Sequence, residues 1–303
     1  MKYDKFRNNL EKMVSLFKKT AARYSLSSSK YSDLYYKLCV LQVYTGLKRA
    51  GTLDSYKKKF VDFQKMVSFL NKLEIHYSML DMGVNIKVFF SKNKTDLSDL
   101  SALHNAVFNL NASRDEYGNL LGYPKCCVLR FISKPPCRLL AFPTCHFENK
   151  AKRNIYELSF KINRLASFPL IQHTPCKITC HKTIELADKI LKLYKTYDLA
   201  LAKRIILELK KPVLVFGENN YIRLNGEYRK DTIFYSSLEH VNPLFIEDGS
   251  ICENDIKTIE IAGLMKEGNR LSFGTNAFKI LKNDKLILTN RFSSQQFQLI
   301  NFQ

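Results

Sequence analysis

The chain is short of several things, and each shortage excludes something. It has no tryptophan, 11 glycines, 8 prolines and only 28 acidic residues against 48 basic ones in 303 positions. No stretch approaches the run of about 20 apolar residues that crosses a bilayer, which argues against a membrane protein. The opening Met-Lys-Tyr-Asp-Lys-Phe-Arg has basic residues but no apolar segment behind it. No signal peptide is therefore expected, and the cytoplasm is the expected location. Motifs of common chemistries are missing too. There is no glycine-rich phosphate loop, no Gly-x-Ser-x-Gly, no His-Glu-x-x-His and no Cys-x3-Cys-x2-Cys, so none of the reactions tied to those patterns is indicated.

What is present first is positive charge. A net charge of +20 attracts polyanions, with nucleic acid first among them. The same lysine-rich, tryptophan-free composition is also what a biased genome produces. Residues 1–75 carry 16 Lys/Arg against 6 Asp/Glu, a net of +10 and half of the excess. They read as three amphipathic helices over 3–24, 31–49 and 54–73. Phe6, Leu10, Met13 and Phe17 mark the inner face of the first, and Tyr56, Phe60, Phe63, Val67 and Leu70 that of the third. Gly51 is expected to end the second, with Thr52 or Asp54 capping the third. The basic faces are densest at Lys57, Lys58 and Lys59. They are either solvated helix surface or the contact through which these helices would bind RNA or DNA. No helix-turn-helix, zinc-finger or RNA-recognition signature accompanies them.

Beyond the bundle, residues 84–91 read as a strand and 96–110 and 113–121 as helices, the last opened by a Ser113/Glu116 capping box. His104 sits among apolar residues and reads as a core or surface histidine. From residue 212 on, short β-rich runs at 212–216, 220–224, 232–236, 257–262, 269–273, 278–281 and 285–289 alternate with turn residues. The expected fold is α+β, with a mostly helical N-terminal and central part and a small antiparallel β domain at the C-terminus. Three segments follow: a basic helical bundle over 1–75, a central mostly helical domain over 76–210, and a small β-rich domain over 211–303.

The chemical anomaly lies in the central segment. Six of the eight cysteines, at 126, 127, 137, 145, 176 and 180, fall between Gly122 and Thr183, with His146, His173 and His181. Cytoplasmic thiols are kept reduced, so crowded cysteines read as metal ligands or reactive thiols before disulfides. Gly122 suits the end of one helix and Pro124 the first turn of the next. That places Cys126 and Cys127 at a helix start. Pro175 repeats the pattern, and on a helix Cys176 and Cys180, four apart, would share a face. The positive field at a helix N-terminus favours thiolate and offsets the charge of a thiolate-bound metal. The four cysteines would complete a zinc site or hold an iron–sulfur cluster, with His173 as the natural substitute ligand. No Cys-x2-Cys pair is present, and adjacent helical side chains diverge by about 100°. A multi-iron cluster tolerates that divergence better, while zinc is the commoner occupant.

Other readings stay open. Cysteine is common core filler, which is the reading for Cys39 and Cys252. A disulfide between the two pairs, or a catalytic thiol with His173 or His181 as base, would also use these residues. Cys137, Cys145 and His146 form a weaker second set in a proline-rich loop. A basic nucleic-acid-binding module with a structural metal, or a metal- or thiol-dependent enzyme acting on nucleic acid, fits the same features.

Two motifs together carry a resemblance. Leu121 to Phe131 match Leu-Gly-Tyr-Pro-x-Cys-Cys-x3-Phe, and His173 to Ala187 match His-x-Pro-Cys-x3-Cys-x2-Ser/Thr-x2-Leu-Ala. Over roughly residues 115–190 the chain resembles a family of uncharacterised archaeal and bacterial proteins with no assigned activity. The resemblance implies a shared site around Cys126, Cys127, His173, Cys176 and Cys180, and no particular reaction. The basic N-terminal helices lie outside it.

Overall fold

The structure, a computed structural model, describes residues 31–56, 60–83, 85–110, 114–133, 155–166, 168–216, 220–242, 253–274, 277–291 and 297–303. The expected helix over 3–24, Lys57–Lys59, Ser113, Cys137, Cys145, His146 and Cys252 lie outside them. The chain divides into two compact units, each discontinuous in sequence. One takes Met1–Pro135 with His181–Arg204; the other takes Pro136–Cys180 with Ile205–Gln303.

The first unit contains helix α1 (Tyr31–Tyr44), strand β1 (Ala50–Tyr56), α2 (Phe60–Lys72), β2 (His76–Met82), β3 (Asn85–Ser91), α3 (Lys94–Leu110), α4 (Arg114–Leu120), α5 (Lys125–Ser133) and α6 (His181–Tyr197). Its antiparallel sheet runs β1-β3-β2. Central β3 buries Val88, Phe89 and Phe90 in succession, as a strand covered on both faces does. Ala50, Phe89, Leu100, Leu120 and Leu121 form one apolar cluster, with Tyr117 and Tyr123 packed on it. Arg49 grips Asp96 in the first turn of α3 at 2.5 and 3.3 Å.

Helix α7 (Leu199–Leu209) runs across the division at residue 204. The second unit is otherwise a mixed sheet. Its strands are β4 (Ile155–Leu158), β5 (Val213–Phe216), β6 (Asn220–Arg229), β7 (Thr232–Asn242), β8 (Arg270–Phe273), β9 (Ala277–Lys282), β10 (Lys285–Arg291) and β11 (Phe297–Phe302), in the order β10-β9-β8-β7-β6-β5-β11-β4. Neighbours are antiparallel except β11 and β4, which run parallel. Helix α8 (Glu253–Glu267) packs Ile261, Ala262 and Met265 against Leu224, Ile233, Leu271 and Phe278. The Tyr235 hydroxyl donates to the Met265 carbonyl at 2.8 Å.

The expectation of a mostly helical protein with a small β domain is overturned. Among the described residues there are eight helices and eleven strands, and the C-terminal half carries an eight-stranded mixed sheet. Residues 50–56 were expected to hold a helix end and the next helix start. They form β1 instead, where Gly51 pairs with Phe90 and lies against its ring. The strand expected at 257–262 lies inside α8. Its β-branched residues suit a strand intrinsically, but Ile261, Ala262 and Met265 find their apolar partners at helical spacing, and packing overrides a weak propensity. The strands expected near 84–91, 212–216, 220–224, 232–236, 269–273, 278–281 and 285–289 are all present.

Candidate metal centre

The segment bearing Cys126 and Cys127 is framed by local backbone rules. Helix α4 closes with Gly122 at φ +72°, a left-handed conformation that costs a side-chain-bearing residue energy. The Gly122 N–H donates to the Asn119 carbonyl and the Tyr123 N–H to the Gly118 carbonyl, both at 3.0 Å. The Pro124 carbonyl then accepts from Cys127 at 2.8 Å and Val128 at 3.1 Å, opening α5. Helices α4 and α5 meet closely at Gly118, where an added Cβ would stand 2.7 Å from Val128 Cγ2. Cys126 therefore points to solvent and Cys127 inward, at 2% exposure.

Cys176 and Cys180 are held differently. The helix expected from Pro175 does not begin there. Residues 171–180 are turns and irregular chain, and α6 starts at His181. The two cysteines do not share a helix face. Their segment is fixed through side chains instead. Ile162, Phe168, Leu170 and Ile171 are buried. The Arg223 guanidinium donates to the Leu165 carbonyl at 3.1 Å, and the Asn163 amide to the Leu209 carbonyl at 2.7 Å. Arg164 Nη1 donates to Thr174 Oγ1 at 2.6 Å. The Cys180 N–H closes the last turn on the Lys177 carbonyl at 3.0 Å. Cys180 is buried and Cys176 half-buried.

All four residues are free thiols, and their Sγ atoms all lie within 4.8 Å of one another. The adjacent pair, Cys126 and Cys127, is separated by 3.9 Å, so the divergence expected of neighbouring side chains does not keep them apart. Cys127 Sγ also lies 3.2 Å from Thr183 Oγ1. Thr183, in the first turn of α6, is fully buried. Four sulfurs this close could hold a metal ion. His173 is buried at 7% exposure and is not among the converging residues; His181 is exposed at the start of α6.

Thr183 was visible in the sequence only as the hydroxyl position of the second motif, and Gly118 only as a glycine inside a helical pattern. Lys48 carried no signal. Its side chain is buried at 5% exposure, burial lowers its pKa, and its ammonium lies 6.0 Å from the centre of the Tyr123 ring. Cys39 lies in the core of α1, and burial pushes its thiol up to about 11, against the pull of Lys48. Such a thiol is inert, as expected for filler. His104 is buried, 3.1 Å from the Tyr117 hydroxyl. Burial, with Lys87 adding to it, lowers its imidazole to about 4.

No protein-family model, curated protein or solved structure matches the chain. Among the described residues no helix is long and apolar enough to cross a membrane.

Proposed function

We propose that Cys126, Cys127, Cys176 and Cys180 bind a single zinc ion as four thiolates, and that the ion serves structure rather than reaction. The observation that carries this reading is the compactness of the group, with no pair of sulfurs more than 4.8 Å apart. A tetrahedral zinc ion with bonds of about 2.3 Å has sulfurs about 3.8 Å apart. Sulfurs on different irons of a cluster are separated by an iron–iron edge and two outward bonds, about 6 Å in all. This spacing favours the mononuclear site and outweighs the sequence argument for a cluster.

Four protein ligands also fill the coordination sphere. A catalytic zinc keeps one position open for water or substrate. Four thiolates around a divalent ion leave two negative charges, which the N-termini of α5 and α6 partly offset. With Cys127 as a thiolate, the Thr183 hydroxyl 3.2 Å away would donate to it and fix that sulfur, as outer-shell groups do in metal sites. His173 stands outside the ligand set in this reading, although the resemblance to the Gly-Tyr-Pro-x-Cys-Cys family includes it.

The test is elemental analysis of protein purified without added metal, together with a visible spectrum under anaerobic conditions. One equivalent of zinc and a colourless protein is the expected result. Strong absorption near the visible charge-transfer region with several irons per chain would replace zinc by a cluster. Less than about half an equivalent of any metal, with four titratable thiols, would end the metal reading altogether.

A further inference from the structure

The large sheet of the second unit has two unlike faces. Side chains paired directly across neighbouring strands point to the same face, and alternate residues point to opposite faces. On one face Ile233, Leu271 and Ile280 lie in register and are buried in the core that α8 covers. On the other face, Glu227, Phe234, Arg270, Leu281 and Leu286 pair in sequence across β6 to β10 as one row. Arg229, Thr232, Ser272, Lys279 and Thr289 pair across the same strands as the next row. Phe234 in the first row is 42% exposed and Leu286 is 58% exposed. This face shares no residue with the cysteine site. We propose that it binds single-stranded RNA, with Phe234 as the platform on which a base stacks.

The surroundings of Phe234 carry the argument. The guanidinium groups of Arg229 and Arg270 each lie 5.9 Å from the centre of its ring. An exposed ring accepts the face of any unpaired base, and arginines beside it add stacking and phosphate contacts. Both arginines hold a carboxylate, Arg229 that of Glu227 and Arg270 that of Asp284. The two acids are more than half exposed. Ion pairs so open to water contribute little, and a phosphate can take the carboxylate's place in the same two-pronged geometry. Lys279 is exposed and has no carboxylate partner among the described residues.

Charge and width fit the same partner. The two rows hold Arg229, Arg270 and Lys279 against Glu227, and the adjoining turns add Lys230, Lys282 and Lys285 against Asp231 and Asp284. The face is therefore net positive, the complement of a phosphodiester chain. A sheet face four strands wide suffices to stack two or three bases, and this one spans five. A protein partner is disfavoured because charged groups stand beside the apolar ones, whereas the centre of a protein interface is depleted of charge. A duplex is disfavoured because its paired bases offer no face to Phe234. The hydroxyls of Thr232, Ser272 and Thr289 carry no hydrogen bond to any described residue. They stand in the row next to Phe234, where a hydroxyl can both donate to and accept from the ribose 2′-OH.

The experiment is fluorescence anisotropy of the full chain with a labelled ten-nucleotide oligouridylate, at several salt concentrations. The matching deoxyoligonucleotide, an RNA duplex and polyglutamate serve as competitors. The oligouridylate is expected to bind at least severalfold tighter than each competitor. Phe234→Ala should weaken binding about tenfold or more, and Phe234→Tyr should retain it. Arg229→Ala/Arg270→Ala should lower the slope of log affinity against log salt by about 1.4, the share of two phosphate contacts on a single strand. Neutralising Lys57, Lys58 and Lys59 together should weaken binding less than Phe234→Ala does. Slowed amide exchange at 227–234 and 270–281 in the wild-type protein on adding the oligouridylate keeps the test valid if a variant misfolds. No binding at about 100 μM protein in low salt, a competitor bound as tightly as the oligouridylate, an unchanged affinity in folded Phe234→Ala, or absence of that protection would overturn the proposal.

Discussion

The two segments that carry the converging cysteines are built in opposite ways. Around Cys126 and Cys127 the chain follows short-range rules: a helix that must stop, a glycine at positive φ, a proline carbonyl that opens the next helix. Around Cys176 and Cys180 there is no regular element, and the chain is fastened by Arg223, Asn163 and Arg164 to distant groups. Yet both segments present one buried and one more accessible sulfur. Similar presentation from unlike frames says that burial at each cysteine, more than the type of frame, should govern what its loss does.

The largest effect tests that statement. Cys127→Ser and Cys180→Ser remove the two buried members of the proposed ligand set, one from each segment, and a serine oxygen is a poor replacement for a thiolate. Each is expected to abolish stoichiometric zinc and to lower stability by roughly 3 kcal/mol or more, because metal binding free energy is folding free energy at such a site. Cys126→Ser leaves its corner open to solvent, so water can complete the sphere. It should keep zinc at weakened affinity. Elemental analysis and thermal unfolding with and without chelator decide this. Equal losses for Cys126→Ser and Cys127→Ser would break the argument from burial.

A smaller effect separates the two frames. Gly118→Ala forces a methyl to within 2.7 Å of Val128 Cγ2 and should cost about 1–3 kcal/mol by overpacking. Gly122→Ala must hold a side chain at φ +72° and should cost about 1 kcal/mol. Both losses should appear fully in metal-free protein, since the strain lies in the helices themselves. Arg164→Ala removes the hydrogen bond to Thr174 from the irregular segment. It should be nearly silent in metal-free protein, at about 1 kcal/mol or less, but weaken zinc about tenfold by freeing the loop, in the range seen for outer-shell changes. Denaturant unfolding of the metal-free variants and a zinc competition assay give the two numbers. If Arg164→Ala destabilised the metal-free protein as much as Gly118→Ala, the two frames would not differ in kind.

The same contrast explains what was legible in the sequence. Gly122 and Pro124 act on their immediate neighbours, so the end of α4 and the start of α5 could be read from residue order alone. Most strands of the large sheet could be read as well, because alternation and turn residues are local signals. The size of that sheet could not. It depends on β11 joining β5 to β4, a pairing between positions far apart that no local pattern encodes. Helix α8 was misread because its isoleucines favour a strand, and distant partners such as Leu224, Ile233, Leu271 and Phe278 decide otherwise. At the site, the cysteines were conspicuous by their crowding, but the frame of Cys176 and Cys180 was not. Its anchor Arg223 lies 58 residues from the carbonyl it holds, and nothing in the order of residues joins them.

The last effect should be confined to the first frame. His104 packs against Phe89 and meets the hydroxyl of Tyr117 on α4, so it supports the helix that ends at Gly122. Its imidazole is lowered by burial to about 4 in the folded chain, from 6.5. Above pH 6.5 it is neutral in both folded and unfolded states, and its contribution is complete. As the pH falls from 6.5 through 4, the unfolded chain takes up the proton first, so stability is lost across that window. Unfolding of metal-free protein, which removes the separate effect of acid on thiolate ligands, should show this loss in the wild type. His104→Gln, which keeps a hydrogen-bonding group and cannot titrate, should give a shallower slope below pH 6.5 and a parallel curve above it. Exchange of the α4 amides should quicken in acid across the same window. An unchanged slope in His104→Gln would show that the frame around Cys126 and Cys127 does not depend on His104.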